Sequence, residues 1–351
     1  MRRRALVTVM ATMILTTLSE VSISSAQSAN QNRSGEVASV AEQITVETPT
    51  GTLYGTLTTP KAGSSMPVVL IISGSGPTDR DGNSPAFKGP NNSLELLAEG
   101  LAAHGIASLR YDKRGIGETG KAMMLAAQKA KIQLREEDLS FETYIDDAVS
   151  WGKQLRADRR FSSLTILGHS EGSLIGMVAA NRLGAKAFVS IAGAGRPLPE
   201  LILEQVKSQL TPELLKSTEN ILEQLASGKK VESVPAELQS MFRPSAQPYL
   251  ISWFRYDPLK EISKLRMPIL IVQGTTDVQV SLADAKRLAA GNPRAKLLLI
   301  DGMNHVLKTV PIEPAKQVSS YSDPSLPLAA ELVKAIISFA NEMPGEVSAS
   351  K

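Results

Sequence analysis

The sequence predicts an α/β fold, with a mostly parallel central sheet carrying helices on both faces. Three observations lead there. Short continuous apolar runs recur along the chain, each the length of a strand buried on both faces. Helical stretches separate most of them, and such alternation calls for parallel strands joined by crossovers. One strand passes into its helix through a Gly-x-Ser-x-Gly turn, Gly168-His169-Ser170-Glu171-Gly172.

The elements follow in chain order. Met1–Arg4 is basic, Ala5–Leu18 is an apolar run and Ser24-Ser25-Ala26 offers a small-residue cleavage site, so 1–26 reads as a secretory signal peptide. As a helix the apolar run would reach only about 21 Å, short of a bilayer core of about 30 Å. The expected location is therefore the bacterial periplasm or the medium, with no stable membrane anchor after cleavage. Residues 27–42 read as a polar linker and 343–351 as a flexible tail. Gln43–Thr48 and Thr52–Thr58, around Pro-Thr-Gly, form an opening hairpin. Val68–Ile72, Ile106–Leu109, Leu164–Leu167, Ala187–Ile191, Ile269–Val272 and Lys296–Ile300 are the buried strands. Ser93–Ala103, Phe141–Arg156, Ser173–Leu183, Ala283–Ala289 and Leu328–Asn341 are the helices between and after them. These place the α/β core at 43–194 and 266–342. Residues 195–265 carry helical periodicity without a buried-strand run, and read as a helical cap inserted before the strand that leads to Asp277. Its aromatics Phe242, Tyr249, Trp253, Phe254 and Tyr256 either line a pocket or fasten the cap to the body.

Composition removes several chemistries. With no cysteine there is no disulfide, thiolate nucleophile, thiolate metal site or lipid-anchored N-terminus, and three histidines leave little for a metal centre. Of the formal charge of +3, Arg2, Arg3 and Arg4 against Glu20 supply two. With aromatics at 4% as well, a nucleic-acid surface gets little support. Gly115–Gly120 matches Gly-x-Gly-x-x-Gly but lacks the acidic residue a dinucleotide site needs at the next strand end. Read as Gly-x-x-x-x-Gly-Lys it has Ala122 where magnesium requires a hydroxyl. Asp79–Asn83 resembles a calcium loop only in its opening residues and reads as a turn. No cofactor or metal is expected.

The Gly-x-Ser-x-Gly turn is where the chemistry concentrates. A nucleophilic serine must be lifted from the sheet by a strained turn whose neighbours cannot carry a Cβ, and Ser170 sits between Gly168 and Gly172. A serine needs a base held by an acid. His104 ends a helix and His169 lies beside Ser170 and is expected to point away from it, leaving His305, after the last strand, as the base. Asp277, after Ile269–Val272, is the favoured acid; Asp301 is the rival, better placed as a cap at its strand end. The oxyanion donors are expected to be the backbone N–H of Glu171 and one from the loop after Val68–Ile72, at Ser75.

The order Ser170, Asp277, His305 is that of the α/β-hydrolases. Over 43–341 the chain resembles that superfamily, and more closely the exported bacterial serine carboxylesterases. The resemblance rests on SGSGPTDRDG at 73–82, RYDKRGIGETG at 110–120, GHSEGS at 168–173, QGTTDVQV at 273–280 and DGMNHVL at 301–307. It implies an α/β-hydrolase fold, no cofactor, a small-molecule ester substrate and hydrolysis through an acyl-enzyme. It also turns Asp112, Arg114, Gly115 and Gly117 into a structural turn. Ser73 departs from the commoner His-Gly of the superfamily. Peptidase, thioesterase and acyltransferase chemistry would use the same three residues, and a non-catalytic ligand-binding fold is the reading from another class.

Overall fold

The computed structural model describes residues 39–341 apart from 62, 64, 132 and 134. The expected signal peptide, the first part of the expected linker and the expected tail lie outside the described residues. Eight strands form one sheet in the order β1-β2-β4-β3-β5-β6-β7-β8. They are β1 (Ser39–Thr48), β2 (Gly51–Pro60), β3 (Met66–Ile72), β4 (Ala107–Tyr111), β5 (Phe161–His169), β6 (Ala187–Ile191), β7 (Ile269–Gly274) and β8 (Ala295–Ile300). The pairs β1–β2 and β2–β4 are antiparallel and every pair from β4–β3 through to β8 is parallel. The hairpin begins at Ser39, so 39–42 belong to a strand and not to a linker. The polar composition misled because β1 is an edge strand with one partner, most of whose side chains face water.

The parallel strands show why their runs are apolar throughout. In β3, Val68, Leu70 and Ile72 enter one core while Val69 and Ile71 enter the other. The first core lies under α3 (Phe141–Ala157), α4 (Glu171–Leu183) and α10 (Leu282–Gly291); the second lies under α1 (Ser93–Ala102) and α12 (Ala330–Asn341). Two helices escape sequence reading: α2 (Gly117–Ala130), which buries only Thr119, and the short α11 (Pro314–Ser320). With almost no buried face, α2 has no apolar stripe to recognise.

Between β6 and β7 stand α5 (Leu198–Val206), α6 (Pro212–Ala226), α7 (Gln239–Phe242), α8 (Gln247–Trp253) and α9 (Pro258–Lys264). The aromatics of this insertion mostly fasten it down. Trp253 stacks on Phe141 at 5.2 Å between ring centres, Tyr256 meets the same ring at 5.1 Å and Tyr249 sets its edge against Tyr144. Phe242 is fully buried, and Phe141 N–H donates to Ser252 Oγ at 2.8 Å.

The motif look-alikes resolve into a turn that leads into α2 and a closed loop at 79–83. Asp112 accepts from Arg80 N–H at 2.9 Å, from the Arg80 guanidinium at 2.6 Å and from Glu118 N–H at 2.8 Å. Arg114 grips Asp147 through two nitrogens, at 2.7 and 2.6 Å. Gly115–Gly120 therefore wraps a carboxylate of its own chain. Asp79 closes its turn by accepting from the N–H groups of Asp81 and Asn83. Burial, followed by the charge of Asp81, pushes its carboxyl up to about 7.

Candidate active site

Ser170 begins α4 with φ 57 and ψ −121. Such backbone costs of order 1–3 kcal/mol in a non-glycine residue and persists only where its surroundings enforce it. Here β5 enters from one side, Ser170 N–H donates to Ile191 O at 2.9 Å, and α4 leaves immediately. The flanking glycines are sterically required. A Cβ on Gly168 would lie 2.1 Å from Gly172 O, and one on Gly172 would lie 2.3 Å from Ile72 O and 2.7 Å from Ser73 O. Gly172 is thus where α4 crosses the end of β3, and this crossing sets the loop 73–76 beside the serine. A Cβ on Gly74 would stand 3.2 Å from Ser170 Cβ. Ser75, Ser170 and Glu171 line one cleft of about 560 Å³, counting its open mouth, whose apolar wall includes Leu174, Leu198, Leu201, Trp253 and Val280. Trp253 is the one of the five cap aromatics that lines it.

Asp277 and His305 come from neighbouring loops tied to each other. Thr276 N–H donates to Met303 O at 3.1 Å, Thr276 Oγ1 to Gly302 O at 2.8 Å, and Gly302 N–H to Thr275 Oγ1 at 2.8 Å. His305 Nδ1 then meets Asp277 Oδ2 at 2.9 Å, with the Asp277 side chain fully buried. The same oxygen accepts from Gln273 Nε2 at 3.0 Å, and Oδ1 accepts from the N–H groups of Gln279 and Val280 at 2.8 and 3.0 Å. Burial alone would raise this carboxyl. The charge and hydrogen bond of His305, joined by the two backbone donors, hold it below its ordinary value, so it is ionised at neutral pH. Asp301 is exposed and accepts from Thr275 Oγ1 at 2.9 Å, which leaves it as a brace between loops.

Two further groups complete the arrangement. His169 has a working place in the site: its ring lies 4.9 Å from that of His305, and its Nε2 donates to His305 O at 2.8 Å. Burial, then the neighbouring His305, depress it to about 3, so it is neutral and the Nε2–H tautomer fits the carbonyl it faces. It links the residue before Ser170 to the backbone of His305. His104 bonds Gly100 O at 2.8 Å at the exposed end of α1, as its position implies. Lys113 and Glu171 form a buried ion pair at 2.8 Å, and Tyr249 from α8 donates to the other Glu171 oxygen. Sequence reading missed this pair because Lys113 and Glu171 lie 58 residues apart. The one available signal was a lysine at the end of a buried strand. Among the described residues no group of three or more His, Asp or Glu could hold a metal ion, and no helix is long and apolar enough to cross a membrane.

Comparison with known proteins bears on family and fold. Residues 91–309 match the family described as serine aminopeptidase, S33. Esterase EstD of Thermotoga maritima is 30% identical over 273 residues, covering 76% of this chain and 61% of EstD, so the chain spans less than two thirds of that relative. Among solved structures, Est1E from Butyrivibrio proteoclasticus superposes with a TM-score of 0.54 at 18% identity, over 86% of this chain and 98% of Est1E. A puromycin-hydrolysing peptidase of Mycobacterium tuberculosis gives 0.54 at 17% identity, over 90% of this chain and 41% of the peptidase. The fold is that of the α/β-hydrolases.

Proposed function

The chain belongs to the family described as serine aminopeptidase, S33, and on that footing we propose that it cleaves carboxylic esters of small or medium acyl groups through an acyl-enzyme on Ser170. Ser170 Oγ adds to the ester carbonyl while its proton passes to His305 Nε2, the ring nitrogen not engaged by Asp277. Asp277 fixes the tautomer and stabilises the imidazolium. The oxyanion is held by the N–H groups of Glu171 and Ser75 at the positive end of α4. Collapse of the intermediate releases the alcohol, which takes the proton from His305. Water then repeats the sequence, with His305 as base, to free the acid and restore Ser170.

The observation that carries the reading is a serine held in a strained turn over an apolar cleft, with an ionised carboxylate locking the imidazole of the next loop. Aminopeptidase action on the same three residues would require a free carboxylate to receive the substrate's ammonium. Among the described residues lining the cleft, Glu171 is the one carboxylate, and Lys113 and Tyr249 already occupy it. Ester cleavage is therefore the better match, as in the relative EstD, which is named an esterase. Thioester cleavage and acyl transfer use the same residues, and an ester, thioester and aminoacyl-amide panel separates them. Ser170→Ala should lower kcat on p-nitrophenyl acetate by roughly 10⁴-fold or more and abolish fluorophosphonate labelling. An unchanged rate would refute the assignment. We also infer export, supported by the basic, apolar and small-residue order of 1–26; N-terminal sequencing of the protein made in a bacterial host should find cleavage after Ala26.

A further inference from the structure

We propose that Lys113 is a positioning residue of the oxyanion hole, holding one donor peptide by its carbonyl and the residue of the other donor by its side chain. The inference rests on the acyl-transfer reading above. Lys113 follows β4 and its side chain is 2% exposed. Its ammonium donates to Gly74 O and, at 2.8 Å, to Glu171 Oε2, and it stands 5.4 Å from the centre of the Tyr144 ring. Fold stability alone gives little reason to bury this charge, because an apolar side chain of similar size commonly serves as well or better.

Its partners give a reason. Gly74 O and the N–H of Ser75 belong to one planar trans peptide, so they point in opposite directions. Fixing the carbonyl on Lys113 turns the Ser75 N–H to the other side, away from the lysine, and Ser75 lines the cleft beside Ser170. The cation also polarises that peptide, which makes its N–H a stronger donor. On the far side of Ser75, its own carbonyl accepts from Thr78 Oγ1 at 2.8 Å, so the residue is clamped at both flanking peptides. The second oxyanion donor is the N–H of Glu171, and the side chain of that same residue receives Lys113. One ammonium therefore sets the loop after β3 and the first residue of α4 relative to each other. Tyr249 adds the cap, donating to the remaining Glu171 oxygen from α8.

Lys113→Met alone strands the buried Glu171 carboxylate, so the decisive variant is Lys113→Met with Glu171→Gln, which removes both charges and keeps an acceptor for Tyr249. The double variant should fold, with a cooperative thermal transition. Its kcat on a p-nitrophenyl ester should fall by about 10²-fold with KM within threefold of wild type, the loss expected when one such donor is misaligned. Its affinity for a trifluoromethyl ketone should fall by the same factor as kcat/KM. In that adduct Ser170 Oγ bonds to the ketone carbon, the serine proton passes to His305 and the carbonyl oxygen becomes the oxyanion. Binding of the carboxylic acid product should be unchanged. Wild-type kcat in a folded double variant would overturn the inference, as would equal losses of ketone and product affinity. Failure of the double variant to fold would assign Lys113 to stability and overturn it too. If Ser170→Ala is inactive while the double variant keeps its rate, only the role of Lys113 falls; if Ser170→Ala keeps its rate, the acyl-enzyme reading falls first.

Discussion

Substituting Gly172 by alanine tests whether the crossing of α4 over β3 sets both the serine and the loop that carries Ser75. The added Cβ would sit 2.3 Å from Ile72 O, and real Cβ contacts essentially never fall below 3.0 Å. The helix start and the strand end must therefore separate by about 0.7 Å, against two backbone carbonyls with no side chain able to swing aside. Overpacking of this kind costs about 1–3 kcal/mol, and at about 2–4 °C per kcal/mol the melting temperature should drop by a few to ten degrees. The rate should suffer more than the fold, because a displacement approaching 1 Å at the reacting groups costs on the order of 10²-fold. Gly74→Ala is the control. Its Cβ would meet Ser170 Cβ at 3.2 Å and His169 Nδ1 at 3.4 Å, contacts that relax by tenths of an ångström. Thermal unfolding with kcat on a p-nitrophenyl ester measures both effects. A Gly172→Ala enzyme that melts normally and turns over within threefold of wild type would refute the reasoning, as would a Gly74→Ala enzyme that is the slower of the two.

Two further outcomes follow from the carboxylates. Asp277→Asn keeps acceptors for Gln279 and Val280 but presents an amide to His305 Nδ1, so kcat should fall by about 10⁴-fold; Asp301→Asn should stay within a few-fold, and comparable losses in both would remove the distinction between them. Asp79 is raised from 3.8 to about 7 by burial and by Asp81, so its ionisation disfavours the fold. A raised carboxyl contributes stability that is complete below the unfolded value and lost as pH climbs through the folded one. Asp79→Asn mimics the protonated acid and keeps its acceptor, so its melting temperature should match wild type near pH 3 and exceed it above pH 8. Parallel curves across that range would contradict the shift.

The parts legible in the sequence are those fixed by local constraint. The continuous apolar runs identify β3 to β7 because strands buried on both faces have no polar side to confuse the pattern. Gly168 and Gly172 announce the turn because a Cβ at the first collides with backbone four and five residues on, and a Cβ at the second with backbone across one crossing. Strand order, together with the exclusion of the two other histidines, points to Asp277 and His305: each follows a strand whose carboxyl end must lie at the same edge of the sheet as Ser170. The misses are of two kinds. The edge strand β1 and the surface helix α2 bury too little to leave a periodic signature, so in the sequence 39–42 resemble a linker and α2 goes unmarked.

The other kind lies inside the site. What His169, Lys113 and Tyr249 do cannot be read from the stretches that contain them, because each role is defined by a partner far along the chain: a carbonyl at 305, a carbonyl at 74, a carboxylate at 171. Each backs a group that sequence reading did find. His169 holds the backbone of His305, Lys113 the carbonyl of the peptide ending in Ser75, and Tyr249 the side chain of Glu171. The chemistry-bearing residues are constrained by what they must do to a substrate, which fixes residue type and chain order. Their supports need only reach a backbone carbonyl or a buried carboxylate, which many side chains in many places can do. Sequence therefore reports the reacting groups more clearly than the groups that hold them still. In a site where about 1 Å of displacement costs on the order of 10²-fold, the second set governs a share of the rate that is smaller than the first set's but still large.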